Sequence, residues 1–352
     1  MTRVIKYVDA LREAHEQCMA EDKKVILMGL GATDPGGVFG STKGLVDLFG
    51  EDRVMDMPLA ENAMTGVAVG AAISGMRPIM THQRIDFAMV AVEQIINQAA
   101  KWHYMFDGQH SVPMVIRMIV GRGWGQGPQH AQSLQAMFAH IPGLKVIMPA
   151  TPYDAKGMMI AATRDENPVI CIEHRWLYGL EDHVPEDMYE VPIGKARIMQ
   201  QGEDITIVSV SQMSLEALQA ARLLDQYNVR AEVIDLRTIR PLDTETILTS
   251  VQKTGRLLVV DTANLHFGIS GELVTVAVEN AFDALKGAPQ RMGLPEYPQP
   301  TSPALAKDYY PYAEDIAQKV LDMLHRDEKV SQAHIGGSEF RDQPDTSFKG
   351  PF

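Results

Sequence analysis

Short apolar runs separated by longer amphipathic segments constrain this chain most, because the alternation recurs along almost its whole length. Lys24–Gly31, with five apolar residues ending in glycine, reads as a strand buried on both faces. Arg77–His82, Pro113–Val120, Leu144–Pro149 and Pro168–His174 read the same way. Helical stretches lie between them. Thr2–Glu21 carries Val4, Val8, Leu11, Ala14 and Cys18 at spacings of three and four, and Glu61–Gly75 is rich in small residues. Phe87–Met105 and Tyr153–Asp165 are two further helices. Strands alternating with helices imply a mostly parallel sheet, so the first domain is α/β.

Around Pro185–Gly202 the pattern loosens into a linker and hairpin, and a second alternation follows. Ile205–Ser211, Arg230–Leu236 and Arg256–Asp261 read as strands; Ser214–Tyr227, Asp243–Thr254 and Gly271–Leu285 read as helices. The expected organisation is a first domain over 1–190, a smaller α/β domain over 200–326, and an aperiodic, mobile tail over 327–352. A length of 352 residues fits two domains of roughly 150 each.

Composition narrows the class. Lys plus Arg total 32 against 45 Asp plus Glu, a formal charge of −13, which gives phosphate backbones no general attraction and argues against nucleic acid as partner. No stretch approaches the ~20 apolar residues of a membrane span. The N-terminal segment lacks a secretory apolar core, and two cysteines are too few for a disulfide framework or zinc cluster. A soluble, cytoplasmic protein is expected.

Spacing alone identifies no reaction. The chain has no GxxxxGK[ST], HExxH or GxSxG motif. Gly121–Gly127 is glycine-rich, either a surface turn or a loop that lets backbone approach a ligand. Glu61, in Pro58-Leu-Ala-Glu, heads a small-residue helix; it is either a helix-terminal carboxylate or a buried ligand contact. His130 is a turn histidine or a proton-transfer group, and Phe87 on an apolar face reads as core.

The segments PLAENAMTGVAVGAAISGMRPI, QRIDF, EQIINQAAK, QHAQS, PGLKVIMPATPYDAKGMMIAATRDENPVI and DLRTIRPLD occur in that order between Pro58 and Asp243, within a similarity that covers roughly residues 2–325. Together they resemble the beta subunit of thiamine-diphosphate-dependent 2-oxo acid dehydrogenases, the decarboxylating component of the pyruvate, branched-chain and acetoin complexes. The resemblance implies a transketolase-type pyrimidine-binding domain with a parallel sheet, followed by a transketolase C-terminal domain. It implies that Glu61 hydrogen-bonds a nitrogen of the cofactor's aminopyrimidine, favouring the imino tautomer that takes a proton from the thiazolium carbon. Phe87 falls where an aromatic ring packs against the pyrimidine. His130 falls where a histidine faces the thiazolium and assists acyl transfer; Gln83 and Asp86 match pocket positions.

Relatives hold a potassium-type ion mainly through backbone carbonyls, and the matching positions are Met114, Ala162, Thr163, Asp165 and Asn167. The diphosphate and Mg2+ of the family are held by a GDG motif on an alpha subunit. This chain contains no GDG. The resemblance therefore implies an alpha partner, an α2β2 heterotetramer, inactivity of the chain alone, and acyl transfer to the lipoyl group of an acyltransferase.

Several positions depart from the family pattern. Leu30 and Gly31 stand where relatives carry an acidic pair, so that acid is lost or supplied from elsewhere. Thr81, His82 and Arg84 are unusual; Arg84 suits an anionic or hydroxylated substrate, or a surface ion pair. Arg122 and Trp124 have no assigned role. The alternatives to a 2-oxo acid dehydrogenase are a split transketolase or carboligase subunit acting on a sugar, and a degenerate regulatory subunit.

Overall fold

Residues 3–122 and 125–330 are described by a computed structural model, and they form two units. The first comprises 3–121 with 137–193, the second Arg122 and 125–136 with 194–330.

In the first unit six parallel strands lie in the order Lys145–Ile147, Val169–His174, Val115–Val120, Arg77–His82, Val25–Gly29 and Val54–Asp56. Every residue of Val25–Gly29, Val115–Val120 and Val169–His174 is buried, as their unbroken apolar runs predict. The helix Tyr7–Glu21 buries Tyr7, Ala10, Leu11, Ala14 and Cys18, and packs against the helix Pro152–Arg164. It starts later than predicted because Val4–Lys6 pairs antiparallel with Glu181–His183.

The DAKG segment acquires a physical meaning. Thr151 caps the helix by accepting from Asp154 N. Buried Lys156 Nζ donates to Glu13 at 2.5 Å and to the carbonyls of Pro185, Glu186 and Asp187. A side chain at Gly157 would lie 2.6 Å from Val191 and 2.7 Å from Tyr189, so glycine is required for this close approach.

The single helix predicted over 87–105 is instead a succession of short turns. Ile85–Ala88 leads into a 3₁₀ turn at Met89–Ala91, a π-helix at Gln94–Ala99 and a short helix at Trp102–Met105. The buried residues Ile85, Ala88 and Ala91 are three apart, the spacing a 3₁₀ turn brings to one face; the spacing then widens to four at Ile95 and Ala99.

In the second unit the strand order is Gln290–Leu294, Leu257–Asn264, Ile205–Ser209, Ala231–Asp235 and Arg197–Gln200. The last is antiparallel, so the predicted hairpin around 185–202 is an edge strand of this sheet. Ile207, Val233 and Val260 pack against Ala217 and Leu224 of helix Gln212–Asp225 and Ile316 and Val320 of helix Ala313–Met323. Val330, counted with the tail in the sequence reading, belongs to this core, and its N–H donates to Gln318. The remaining tail, 331–352, lies outside the described residues. No helix among the described residues is long and apolar enough to cross a membrane.

Candidate active site

Parallel α/β sheets place ligands at the carboxyl ends of their strands, and the first unit has a pocket there. Strand Val54–Asp56 ends on a carboxylate that accepts from Gly31 N at 2.7 Å and Met57 N at 2.9 Å. These bonds fix the turn that delivers Glu61 as the first residue of helix Glu61–Ile73, where helix polarity favours a carboxylate. Gly31 sits at φ +74°, and a side chain there would come within 3.0 Å of Asp34 Oδ2. An acidic group therefore stands beside position 31 although the residue itself is glycine.

Thr65, one turn beyond Glu61, lies with its Oγ1 3.2 Å from His82 Nε2, and both side chains are buried. Burial pushes the His82 pKa down to about 4, so the imidazole is neutral at pH 7. Gln83, the next residue, donates through Nε2 to the Leu30 carbonyl at 3.1 Å. Glu61, His82, Gln83 and Phe87 thus line one pocket with Leu30, Met57, Leu59 and Met64. The lining is mostly apolar with a few polar groups, which fits a flat heteroaromatic ring with one ring nitrogen toward a carboxylate.

Beyond Gly121, the described residues of the glycine-rich segment belong to the second unit. The Arg122 guanidinium carbon sits 4.5 Å from the Tyr310 ring centre and 5.0 Å from that of Tyr312. It also faces Glu216, whose pKa burial raises while Arg122 opposes the rise. Gly125 and Gly127 both have positive φ, and a side chain at Gly127 would meet Thr301 Oγ1 at 2.5 Å. The His130 N–H closes a turn on the Gly127 carbonyl, leaving its side chain half-buried. Beyond it, Gln135 Nε2 donates to Asp261 at 2.7 Å and to Thr262 at 3.0 Å. Trp124 lies outside the described residues.

The expected cation site looks different from its sequence reading. The carbonyls of Thr163 and Asp165 both accept from Arg77 Nη1 at 3.2 Å. Those of Met114 and Ala162 accept from Val169 N and Asp165 N, and the Asp165 carboxylate is bonded by Lys145. Two cations of the chain itself, Arg77 and Lys145, thus serve this corner.

Sequence reasoning missed the His82–Thr65 contact and the methionine walls, for which residue type carries no signal. It also missed Arg175, which follows directly on the buried strand Val169–His174 and is itself fully buried.

Fold and pocket define a class: a transketolase-type pyrimidine-binding domain followed by a second α/β domain. Family models described as transketolase, pyrimidine binding domain, and transketolase, C-terminal domain, match residues 3–181 and 194–316. The chain belongs to this family, among the beta subunits of acetoin and 2-oxo acid dehydrogenases. It is 46% identical over 327 residues to the acetoin:2,6-dichlorophenolindophenol oxidoreductase subunit beta of Cupriavidus necator, covering 90% of this chain and 96% of the relative. It is 43% identical over 306 residues to the 2-oxoisovalerate dehydrogenase subunit beta of Bacillus subtilis, covering 86% and 94%. The pyruvate dehydrogenase E1 component subunit beta of Rickettsia felis is 40% identical over 312 residues, covering 89% and 96%. A solved structure described as a split gene transketolase, inactive beta4 tetramer, superposes with a TM-score of 0.75 over 92% of this chain and 99% of that one; at 21% identity it speaks to fold alone.

Proposed function

We propose that this chain is the beta subunit of a thiamine-diphosphate-dependent 2-oxo acid dehydrogenase, and that it works with an alpha subunit. The observation that carries the reading is the pocket that unites Glu61, Gln83 and Phe87 at the carboxyl edge of the parallel sheet. When bound, thiamine diphosphate supplies a thiazolium carbon able to attack the 2-oxo group. Glu61 would accept a hydrogen bond from the pyrimidine ring of that cofactor and favour its reactive tautomer. Phe87 would pack against the ring, while Gln83 keeps the Leu30 wall in place. His82, neutral and tied to Thr65, fixes the helix that carries Glu61. His130 would assist acyl transfer to the next component, the role its family position implies.

A GDG-bearing alpha chain in an α2β2 assembly would hold the diphosphate and Mg2+, since this chain lacks the motif. The acyl acceptor is the lipoyl group of an acyltransferase, and the compartment the cytoplasm.

Co-expression with a GDG-containing alpha chain tests the reading. The purified complex should reduce 2,6-dichlorophenolindophenol with a 2-oxo acid only when thiamine diphosphate and Mg2+ are present. Ketol transfer between sugars without any oxo acid turnover would favour the split-transketolase reading instead.

A further inference from the structure

A cleft in the second unit is lined by more positive than negative charge, in a chain whose formal charge is −13. It lies at the amino ends of two neighbouring parallel strands, the edge opposite to that at which such sheets ordinarily place ligands. Arg256 directly precedes strand Leu257–Asn264, and Gln290 opens strand Gln290–Leu294 beside it. The Lys286 N–H donates to the Gly255 carbonyl at 2.8 Å, which brings Gly287 and Ala288 alongside Arg256. The facing wall is the end of helix Ala313–Met323. Lys319, Asp322 and Met323, three and four residues apart, share one face of it. His325, at φ +56°, follows in the left-handed conformation that ends a helix. The cleft holds about 330 Å³, within the range of small-molecule sites.

The positive groups of this cleft are not spent within the protein. Among the described residues, the side chains of Arg256, Lys319 and His325 make no hydrogen bond or ion pair. Asp322, the one carboxylate of the lining, accepts from Gln318 at 2.9 Å and lies 4.0 Å from Lys329 Nζ, so its charge is met from outside the cleft. Nor are the cations needed to close the helix. The carbonyls of Val320, Leu321 and Asp322 accept from the N–H groups of Leu324, Arg326 and His325. Two fixed positive charges on one cleft match a phosphate dianion better than a single carboxylate, arginine through paired N–H groups and lysine as a point charge. The space exceeds what a bare phosphate fills, and Gln290 and Asp322 offer a donor and acceptors for hydroxyl groups. We propose that this cleft binds the phosphate monoester of a small hydroxylated molecule, with Arg256 and Lys319 on the phosphate. The site belongs to the second unit and does not depend on the dehydrogenase reading.

Calorimetric titration of the full-length chain with glucose 6-phosphate and with adenosine 5′-monophosphate tests it, with glucose, adenosine and inorganic phosphate as controls. At least one ester should bind with a dissociation constant below about 1 mM, and inorganic phosphate at least about tenfold more weakly. Glucose and adenosine should not bind. Arg256 and Lys319 are partly exposed, so Arg256→Gln and Lys319→Gln should leave the thermal midpoint of the free chain unchanged. Each should weaken ester binding by about tenfold or more. The ester should raise the thermal midpoint of the wild type and not that of the double variant. Failure of the wild type to bind either ester overturns the proposal, and so does an affinity unmoved by both substitutions. Inorganic phosphate bound as tightly as the esters also overturns it, by reducing the cleft to a site for the free anion.

Discussion

Arg117 holds Glu173 through two parallel hydrogen bonds, Nε to Oε1 at 2.6 Å and Nη2 to Oε2 at 2.8 Å, with neither side chain exposed. The pair joins the adjacent strands Val115–Val120 and Val169–His174, and Ser41 and Tyr178 complete its hydrogen bonding. Removing one charge leaves the other buried without its counter-ion. Glu173→Gln should therefore destabilise the first unit by about 3–5 kcal/mol, read as a lowered denaturation midpoint. The paired change Arg117→Met with Glu173→Leu should cost less than either single change.

Arg77 already supplies the positive charge at the carbonyls of Thr163 and Asp165. A saturating ion would add stability, about 2.7 kcal/mol at a hundredfold excess over its dissociation constant. We expect none here. The thermal midpoint should be the same in potassium chloride and in tetramethylammonium chloride at equal ionic strength. A rise confined to potassium would contradict the reading.

His82 has a folded pKa of about 4 against an ordinary 6.5. Between those values the unfolded chain binds the proton and the folded chain does not, so stability is lost as pH falls through this window. At its acid end the loss reaches about 3 kcal/mol. His82→Gln removes this dependence: the variant's deficit at pH 7.5 should shrink steadily towards pH 4. Chemical denaturation across that range checks it.

Asp261 behaves in the opposite sense. Burial raises its pKa to about 6, against the bond from Gln135. Here the folded chain holds the proton more tightly, so the group costs stability as pH rises from 3.8 to 6. Asp261→Asn keeps an oxygen for Gln135 and removes that cost. It should be the more stable protein at pH 7.5, by up to about 3 kcal/mol, with the gain vanishing below pH 4.

Much of the fold was legible because buried parallel strands write themselves as unbroken apolar runs, as Val115–Val120 and Val169–His174 do. Edge and short elements left weaker traces. Val4–Lys6 and Glu181–His183 pair across nearly the whole first domain, with partly exposed or exposed residues and no local signal. Glu61, Gln83 and Phe87 were found through family resemblance, and their convergence depends on turns set by Asp56 and on the Leu30 carbonyl. Arg84 read equally well as a surface ion pair; its burial beside Arg175 depends on two strands ending at one edge, which no linear spacing records.

The central claim is that Glu61 activates the bound cofactor, and deuterium exchange at the thiazolium carbon tests it most directly. In the complex with an alpha chain, thiamine diphosphate and Mg2+, exchange should be fast for wild type. It should slow by at least about a hundredfold in Glu61→Ala, with the assembly still formed and the cofactor added to saturation. Equal exchange rates in the two complexes would contradict the account.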